Sequence, residues 1–133
     1  MERCPGKARR CWKRDAWPSP NPRLRDVESI DRLIAHDPGA ALLAEADGRI
    51  VGTVIATWDG WRGGIWRLAV VPQWRRKGDG TRLAAAAEER LEGLGAPKVA
   101  ALVLREHDHA LGFWRALGYE PDERVDRWVR SFR

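Results

Sequence analysis

The sequence predicts an α/β (α+β) fold, a mixed central sheet flanked by helices, and three observations predict it. Two apolar runs, Ala41 to Ala46 and Ile50 to Trp58, flank Asp47-Gly48-Arg49, and Asp-Gly between such runs signals an antiparallel hairpin. A third run, Ile65 to Val71, is separated from a fourth, Val99 to Leu104, by a stretch of helical period. Strands joined through a helix run parallel, so the sheet is mixed.

Each element has its own local reason. Ala8 to Trp17 has the composition of a short helix, after which Pro18, Pro20 and Pro22 force an extended loop, because proline fixes its own φ and restrains its predecessor. Residues 1–22 are therefore expected to be a basic, proline-containing segment ahead of a single folded domain, 23–133. A helix is predicted over Leu24 to Ala35, where Val27, Ile30, Leu33 and Ile34 keep helical spacing and Asp37-Pro38-Gly39 ends the pattern. The two hairpin strands follow, then a turn at Gly60 to Gly64 and the strand Ile65 to Val71, stopped by Pro72.

From Thr81 to Glu92 the period is helical, with Leu83, Ala84, Ala87 and Leu91 on one face and Gly93 and Gly95 as stops. Val99 to Leu104 is almost wholly apolar, the pattern of a strand buried on both faces. Asp108 is the expected N-cap of a last helix in which Ala110, Phe113, Trp114 and Leu117 recur at i, i+3, i+4 and i+7, closed by Gly118. Val125 to Phe132 is expected to be a final strand.

The 133 residues and 44% hydrophobic content suit one compact domain. No apolar run approaches the length of a bilayer span, and Met1 to Arg14 lacks the apolar stretch of a secretory signal, so a cytoplasmic protein away from membranes is expected. Cys4 and Cys11 are read as free thiols. His36, His107 and His109 are the only histidines and form no ligand spacing with the cysteines, so no metal is expected. The formal charge of +5 suits an anionic cofactor or nucleic acid and does not choose between them.

One motif carries chemistry. The strand ending at Val71 passes through Pro72-Gln73-Trp74-Arg75-Arg76-Lys77-Gly78-Asp79-Gly80-Thr81 straight into a helix. Glycines at 78 and 80 let the backbone turn and approach a ligand, while the first unpaired amides of the helix lie at its positive dipole end. Such a place binds phosphate, and Arg75, Arg76 and Lys77 add charge for a pyrophosphate or ribose phosphate. The longer loop ending in Gly-Lys-Ser/Thr is absent, which excludes a P-loop nucleotide triphosphatase.

Two stretches together resemble the GNAT (Gcn5-related N-acetyltransferase) superfamily. Arg67-Leu68-Ala69-Val70-Val71-Pro72 followed by Arg75-Arg76-Lys77-Gly78-Asp79-Gly80 is similar to its signature Arg/Gln-x-x-Gly-x-Gly/Ala after the central strand. Ala110, Phe113-Trp114 and Leu117-Gly118-Tyr119 are similar to its later Asn-x-x-Ala-x-x-Phe-Tyr and Leu-Gly-Phe. The resemblance implies the GNAT acyl-CoA N-acyltransferase fold and acetyl-CoA as acetyl donor. It implies that Leu68, Ala69 and Val70 offer backbone groups to the pantetheine arm, and that Arg75, Arg76, Lys77, Gly78, Asp79, Gly80 and Thr81 hold the pyrophosphate. A backbone amide of the same strand would polarise the thioester carbonyl.

Three positions depart from the family pattern. Asp79 brings negative charge to a site usually apolar. His107 stands where Asn is usual and still offers a hydrogen-bonding group to the cofactor arm, the alternative being a solvent-facing loop histidine. Trp114 replaces a tyrosine that often acts as general acid; indole cannot release its proton, and its spacing suits packing. An acceptor amine must lose a proton before it attacks, and Glu106 and His107 are the expected catalytic bases, just beyond a central strand. Family members usually begin with a strand, which Met1 to Arg14 does not resemble. The first strand is expected to be missing, leaving Ala41 to Ala46 as an edge that favours a homodimer.

The function expected is N-acetyl transfer from acetyl-CoA to a primary amine of a small molecule, peptide or protein, with no nucleic acid as partner. Trp114 and Asp79 suggest a rival, a noncatalytic acyl-CoA-binding or protein-interaction module. Basicity alone suggests a nucleic-acid-binding domain.

Overall fold

A computed structural model describes residues 27–132. The elements are helix α1 (Val27–His36), strands β1 (Ala41–Ala46), β2 (Arg49–Trp58) and β3 (Gly63–Val70), a short 3-10 turn (Pro72–Trp74), helix α2 (Asp79–Gly93), strand β4 (Val99–Ala101) and helix α3 (Asp108–Ala116). The expected short helix over Ala8 to Trp17 and the expected missing first strand lie outside the described residues, as does the start of the helix predicted from Leu24. By their internal contacts the described residues form two units, divided between Leu102 and Val103.

The first unit holds the sheet, in the order β1-β2-β3-β4. The β1–β2 pair is antiparallel, Ala46 opposite Arg49, and its turn places Asp47 at φ 53° and Gly48 at φ 73°. Positive φ at both central residues is the primed turn whose twist matches that of the strands, which is why Asp-Gly sits there. Ile30 and Ile34 of α1 are buried with Ala40, Ala41 and Ile55, so the apolar stripe of α1 covers the β1–β2 pair.

The β2–β3 turn is held by Asp59, whose Oδ1 accepts hydrogen bonds from the backbone N–H of Trp61 (2.7 Å) and of Arg62 (2.6 Å). The bonds from Arg62 and then Trp61 hold this exposed carboxyl below its ordinary value of 3.8.

β3 and β4 pair in parallel, Gly63 opposite Val99, and α2 makes the crossover between them. The face of α2 read from the sequence is buried: Leu83, Ala84, Ala87 and Leu91, joined by Ala86. Removing a leucine side chain of this size from water contributes about 2 kcal/mol. Close approach is possible because β2 carries Gly52, where a Cβ would stand 2.8 Å from Leu83 Cδ1. Arg90 then ties the end of α2 to the sheet. Its Nη2 donates to Asp37 Oδ2 (2.5 Å) and its Nε to the Ala56 carbonyl (3.2 Å), both bonds half-buried.

Two sequence expectations are corrected. The strand expected over Val99 to Leu104 and buried on both faces is paired only over Val99–Ala101, and Leu102 and Leu104 are exposed. β4 is the edge of the described sheet, so it has one neighbour, and an apolar run without a second neighbour is not enclosed. The strand expected over Val125 to Phe132 does not form: no helix or strand includes those residues. Val125, Trp128, Val129 and Phe132 do not alternate, so no single sheet face would collect them.

The second unit contains α3. Leu117 N–H donates to the Phe113 and Trp114 carbonyls, Tyr119 N–H to the Trp114 carbonyl, and Gly118 takes φ 91°, a left-handed helix end. The predicted apolar positions are there, but none of the α3 residues is fully buried.

No described helix is long and apolar enough to cross a membrane, and no described group of three or more His, Cys, Asp or Glu is placed to hold a metal ion.

Candidate functional site

The site begins inside β3. Ile55 faces Trp66 and Thr53 faces Ala69, so one residue of β2, Val54, is matched by two of β3, Arg67 and Leu68. This is a β-bulge, and Arg67 sits in its left-handed position at φ 49°. A bulge interrupts the ladder, bends its strand and increases the twist. The half-buried residues that follow, Leu68, Ala69 and Val70, are thus re-aimed from the direction set by Gly63 to Trp66. The sequence reading missed this feature, since nothing in Trp66-Arg67-Leu68 calls for a left-handed residue.

Beyond Val70 the chain makes the 3-10 turn, with Trp74 N–H donating to the Val71 carbonyl (2.9 Å) and Arg75 N–H to the Pro72 carbonyl (3.3 Å). Two of the three cations are fixed by this turn. Arg75 Nε donates back to the Val70 carbonyl (3.3 Å), and Lys77 Nζ stands 4.5 Å from the centre of the Trp74 ring. A cation over indole is held by the ring's negative face. Arg76 adopts φ 62° and Gly78 φ 84°, two left-handed residues that reverse the chain before α2.

The two glycines have different parts. Gly78 is the N-cap and needs its left-handed φ, and a Cβ there would meet no heavy atom within 4 Å, so the space beside it is open. Gly80 lies within α2, which starts two residues earlier than the predicted Thr81, and its φ is not positive. Its backbone is therefore helical, and the turn does not require a glycine there. The first intrahelical bond from this end runs from Arg82 N–H to the Gly78 carbonyl (3.0 Å), so the amides of Asp79, Gly80 and Thr81 precede the helical ladder. Asp79 is the first helical residue, where its charge favours the free helix.

Within the first unit, then, Leu68, Ala69, Val70, Arg75, Arg76, Lys77, Gly78, Asp79, Gly80 and Thr81 form one continuous strand-to-helix junction. Glu106 and His107 belong to the second unit, both exposed, with His107 as the residue preceding α3. The His107 ring stacks on His109, centroids 6.4 Å apart. Trp114 packs edge-on against Phe113 (5.3 Å) and Tyr119 (4.8 Å), as its spacing suggested.

The described residues thus make an α/β protein in which a bulged strand runs into a cation-flanked helix N-terminus. The sequence matches the acetyltransferase (GNAT) family over residues 7–119. An acetyltransferase of Yersinia pestis (strain Pestoides F) is 35% identical over 96 residues, 72% of this chain and 68% of the relative. An acetyltransferase of Pectobacterium atrosepticum is 37% identical over 91 residues, 68% of this chain and 64% of the relative. Among solved structures, AAC(6')-Iy in complex with the bisubstrate analogue CoA-S-monomethyl-acetylneamine superposes with a TM-score of 0.72 at 19% identity, over 98% of this chain and 96% of that one. The aminoglycoside 6'-N-acetyltransferase AAC(6')-IG from Acinetobacter haemolyticus superposes with a TM-score of 0.73 at 19% identity, over 99% and 98%. This chain belongs to the acetyltransferase (GNAT) family and is an acetyltransferase.

Proposed function

We propose that the chain is an N-acetyltransferase that uses acetyl-CoA as donor and a primary amine as acceptor. The observation that carries this reading is the junction at Gly78: a left-handed glycine with open space beside it, three helix amides ahead of the ladder, and three cations on the approach. These groups fit a pyrophosphate, which needs N–H donors at a helix start and positive charge around them. The AAC(6')-Iy structure in complex with a CoA bisubstrate analogue supports the donor, and that neighbour's aminoglycoside acceptor supports an amine.

Acetyl-CoA would supply an activated thioester carbonyl. Gly78, Gly80 and Thr81 would hold its phosphates through backbone N–H groups, with Arg75, Arg76 and Lys77 supplying charge and Asp79 at the helix start beside them. Leu68, Ala69 and Val70, re-aimed by the bulge, would offer backbone groups to the pantetheine arm. A β3 amide would donate to the carbonyl oxygen, where negative charge collects as the amine attacks. Glu106 or His107 would take the amine's proton, and His107 would also reach the cofactor arm. Trp114 would pack and not act as an acid, because a thiol of pKa roughly 8.5 leaves tolerably as its anion.

Gly80→Glu tests the junction. The added carboxylate lies in the first turn of α2, where it favours the free helix and repels phosphate. The expected outcome is a melting temperature within about 2 °C of the parent and acetyl-CoA affinity lowered at least about tenfold, read by calorimetric titration. Equal affinity would remove this junction as the cofactor site. Release of free thiol over a panel of amines, aminoglycosides included, with hydrolysis as background, tests the acceptor class.

A further inference from the structure

The two faces of β3 ahead of its bulge differ in what covers them. Side chains alternate along a strand, so Gly63 and Ile65 share one face and Gly64 and Trp66 the other. The first face is closed by α2: Ile65 is 1% exposed, and a Cβ at Gly63 would stand 3.3 Å from Leu91 Cδ1. On the second face Gly64 and Trp66 lie opposite Thr57 and Ile55 of β2, and Trp66 is 38% exposed. Pairing of β3 with β4 ends at Ile65 and Ala101, and the bulge begins at Arg67. Trp66 therefore stands where β4 leaves and the β2–β3 ladder is interrupted.

Two neighbours place its indole. Nε1 donates to Thr57 Oγ1 (2.8 Å), and a Cβ at Gly64 would stand 2.8 Å from that Nε1 and 3.1 Å from that oxygen. The ring thus lies back along β3, in room that the absent side chain of Gly64 leaves. An indole has one polar hydrogen, and Thr57 accepts it. What the exposed part of the ring offers a ligand is its apolar, electron-rich surface. The thioester carbonyl, read as polarised by a β3 amide beside Leu68 to Val70, would lie about 7 Å along the strand from Trp66. An attacking nitrogen stands about 3 to 3.5 Å from its target carbon, so the rest of an acceptor lies on the neighbouring surface. A rigid ring meets a flat indole without the loss of rotamer freedom that an open chain suffers. An ammonium on that ring is drawn to the indole face before it gives up its proton.

Resting on the N-acetyltransferase reading above, we propose that Trp66 is a specificity-determining residue for the acceptor. Its indole, positioned by Thr57 and Gly64, stacks on a ring that carries the primary amine, aromatic or sugar, and selects such amines over open-chain ones.

Thiol release at saturating acetyl-CoA, with benzylamine and glucosamine compared against n-butylamine and 6-aminohexanoate, tests it. Calorimetric titration of the CoA-bound protein with the same four amines reads acceptor binding without turnover. In the parent, kcat/KM and affinity for the ring amines are expected to exceed those for the chains at least about fivefold. Trp66→Leu is expected to bring that ratio to within about twofold, with the change in KM. Thr57→Val keeps the side chain's shape and removes the anchor, so it is expected to raise the ring-amine KM about threefold, and Thr57→Ser to restore it. Circular dichroism and acetyl-CoA affinity, both expected unchanged, show whether each variant keeps its fold and donor site; if Trp66→Leu does not, the Thr57 pair decides. If acetyl-CoA binds and amines are acetylated with no ring preference, or with one indifferent to these substitutions, the proposal is overturned and the N-acetyltransferase reading stands. Failure of acetyl-CoA to bind, or of every amine to release thiol, overturns both.

Discussion

Helices α2 and α3 look alike in sequence: each carries apolar residues at i, i+3, i+4 and i+7 or close to it, and each ends at a glycine. In the structure α2 buries five side chains and α3 fully buries none. The difference lies in what each helix meets. α2 crosses between two paired strands and rests on β2 at Gly52, where a missing Cβ lets Leu83 seat at zero exposure. α3 closes by local means instead, through Trp114 against Phe113 and Tyr119 and a left-handed Gly118. Periodicity states which face of a helix is able to be buried, and the surface opposite decides whether it is.

The largest expected effect separates these helices. Leu83→Ala should cost about 3 kcal/mol, as buried leucine truncations do, whereas Phe113→Ala should cost about 1 kcal/mol, mostly lost aromatic contact. Urea titration of both variants measures the contrast, and equal losses would mean that α3 is as enclosed as α2.

The clamp at the end of α2 comes next. Arg90→Ala leaves the Ala56 carbonyl and Asp37 carboxylate without their donor in a half-buried setting. It should cost about 2 kcal/mol. Arg90→Lys should recover less than half of this, because an ammonium cannot reproduce the two directed bonds.

The glycines of the junction should part company. Gly78→Ala forces a side chain into left-handed φ and should cost about 1 kcal/mol even though its Cβ has room. Gly80→Ala sits in helical backbone and should leave stability within about 0.5 kcal/mol of the parent. If the junction binds pyrophosphate, the second variant shows the larger ratio of lost affinity to lost stability. Melting curves with and without acetyl-CoA give both quantities.

The smallest effect concerns the β2–β3 turn. Asp59 has a folded-state pKa below its unfolded value of 3.8, so its contribution is present above that value and is lost as pH falls through the lower, folded one. The melting temperatures of the parent and Asp59→Ala should therefore differ at neutral pH and converge as pH falls through the lowered, folded-state value.

The sheet up to Ala101 and the strand-to-helix junction at Gly78 were legible because local chemistry dictates them. Asp47-Gly48 demands a primed turn, Pro72 ends β3, and Gly78 marks the left-handed entry into α2. The bulge at Arg67 was not legible, because an arginine in left-handed backbone is held there by the register of β2 against β3 and by no property of its own. Nor were the clamp of Arg90 on Asp37 and Ala56, which joins residues 34 and 53 positions away, and the failure of Val125 to Phe132 to form a strand. A turn or a cap is decided by a few adjacent residues. A ladder, a bulge or a buried ion pair exists only when distant segments supply the other half, so the sequence by itself determined the turns, the helix periods and the cation-rich junction, while tertiary structure decided which apolar faces were covered.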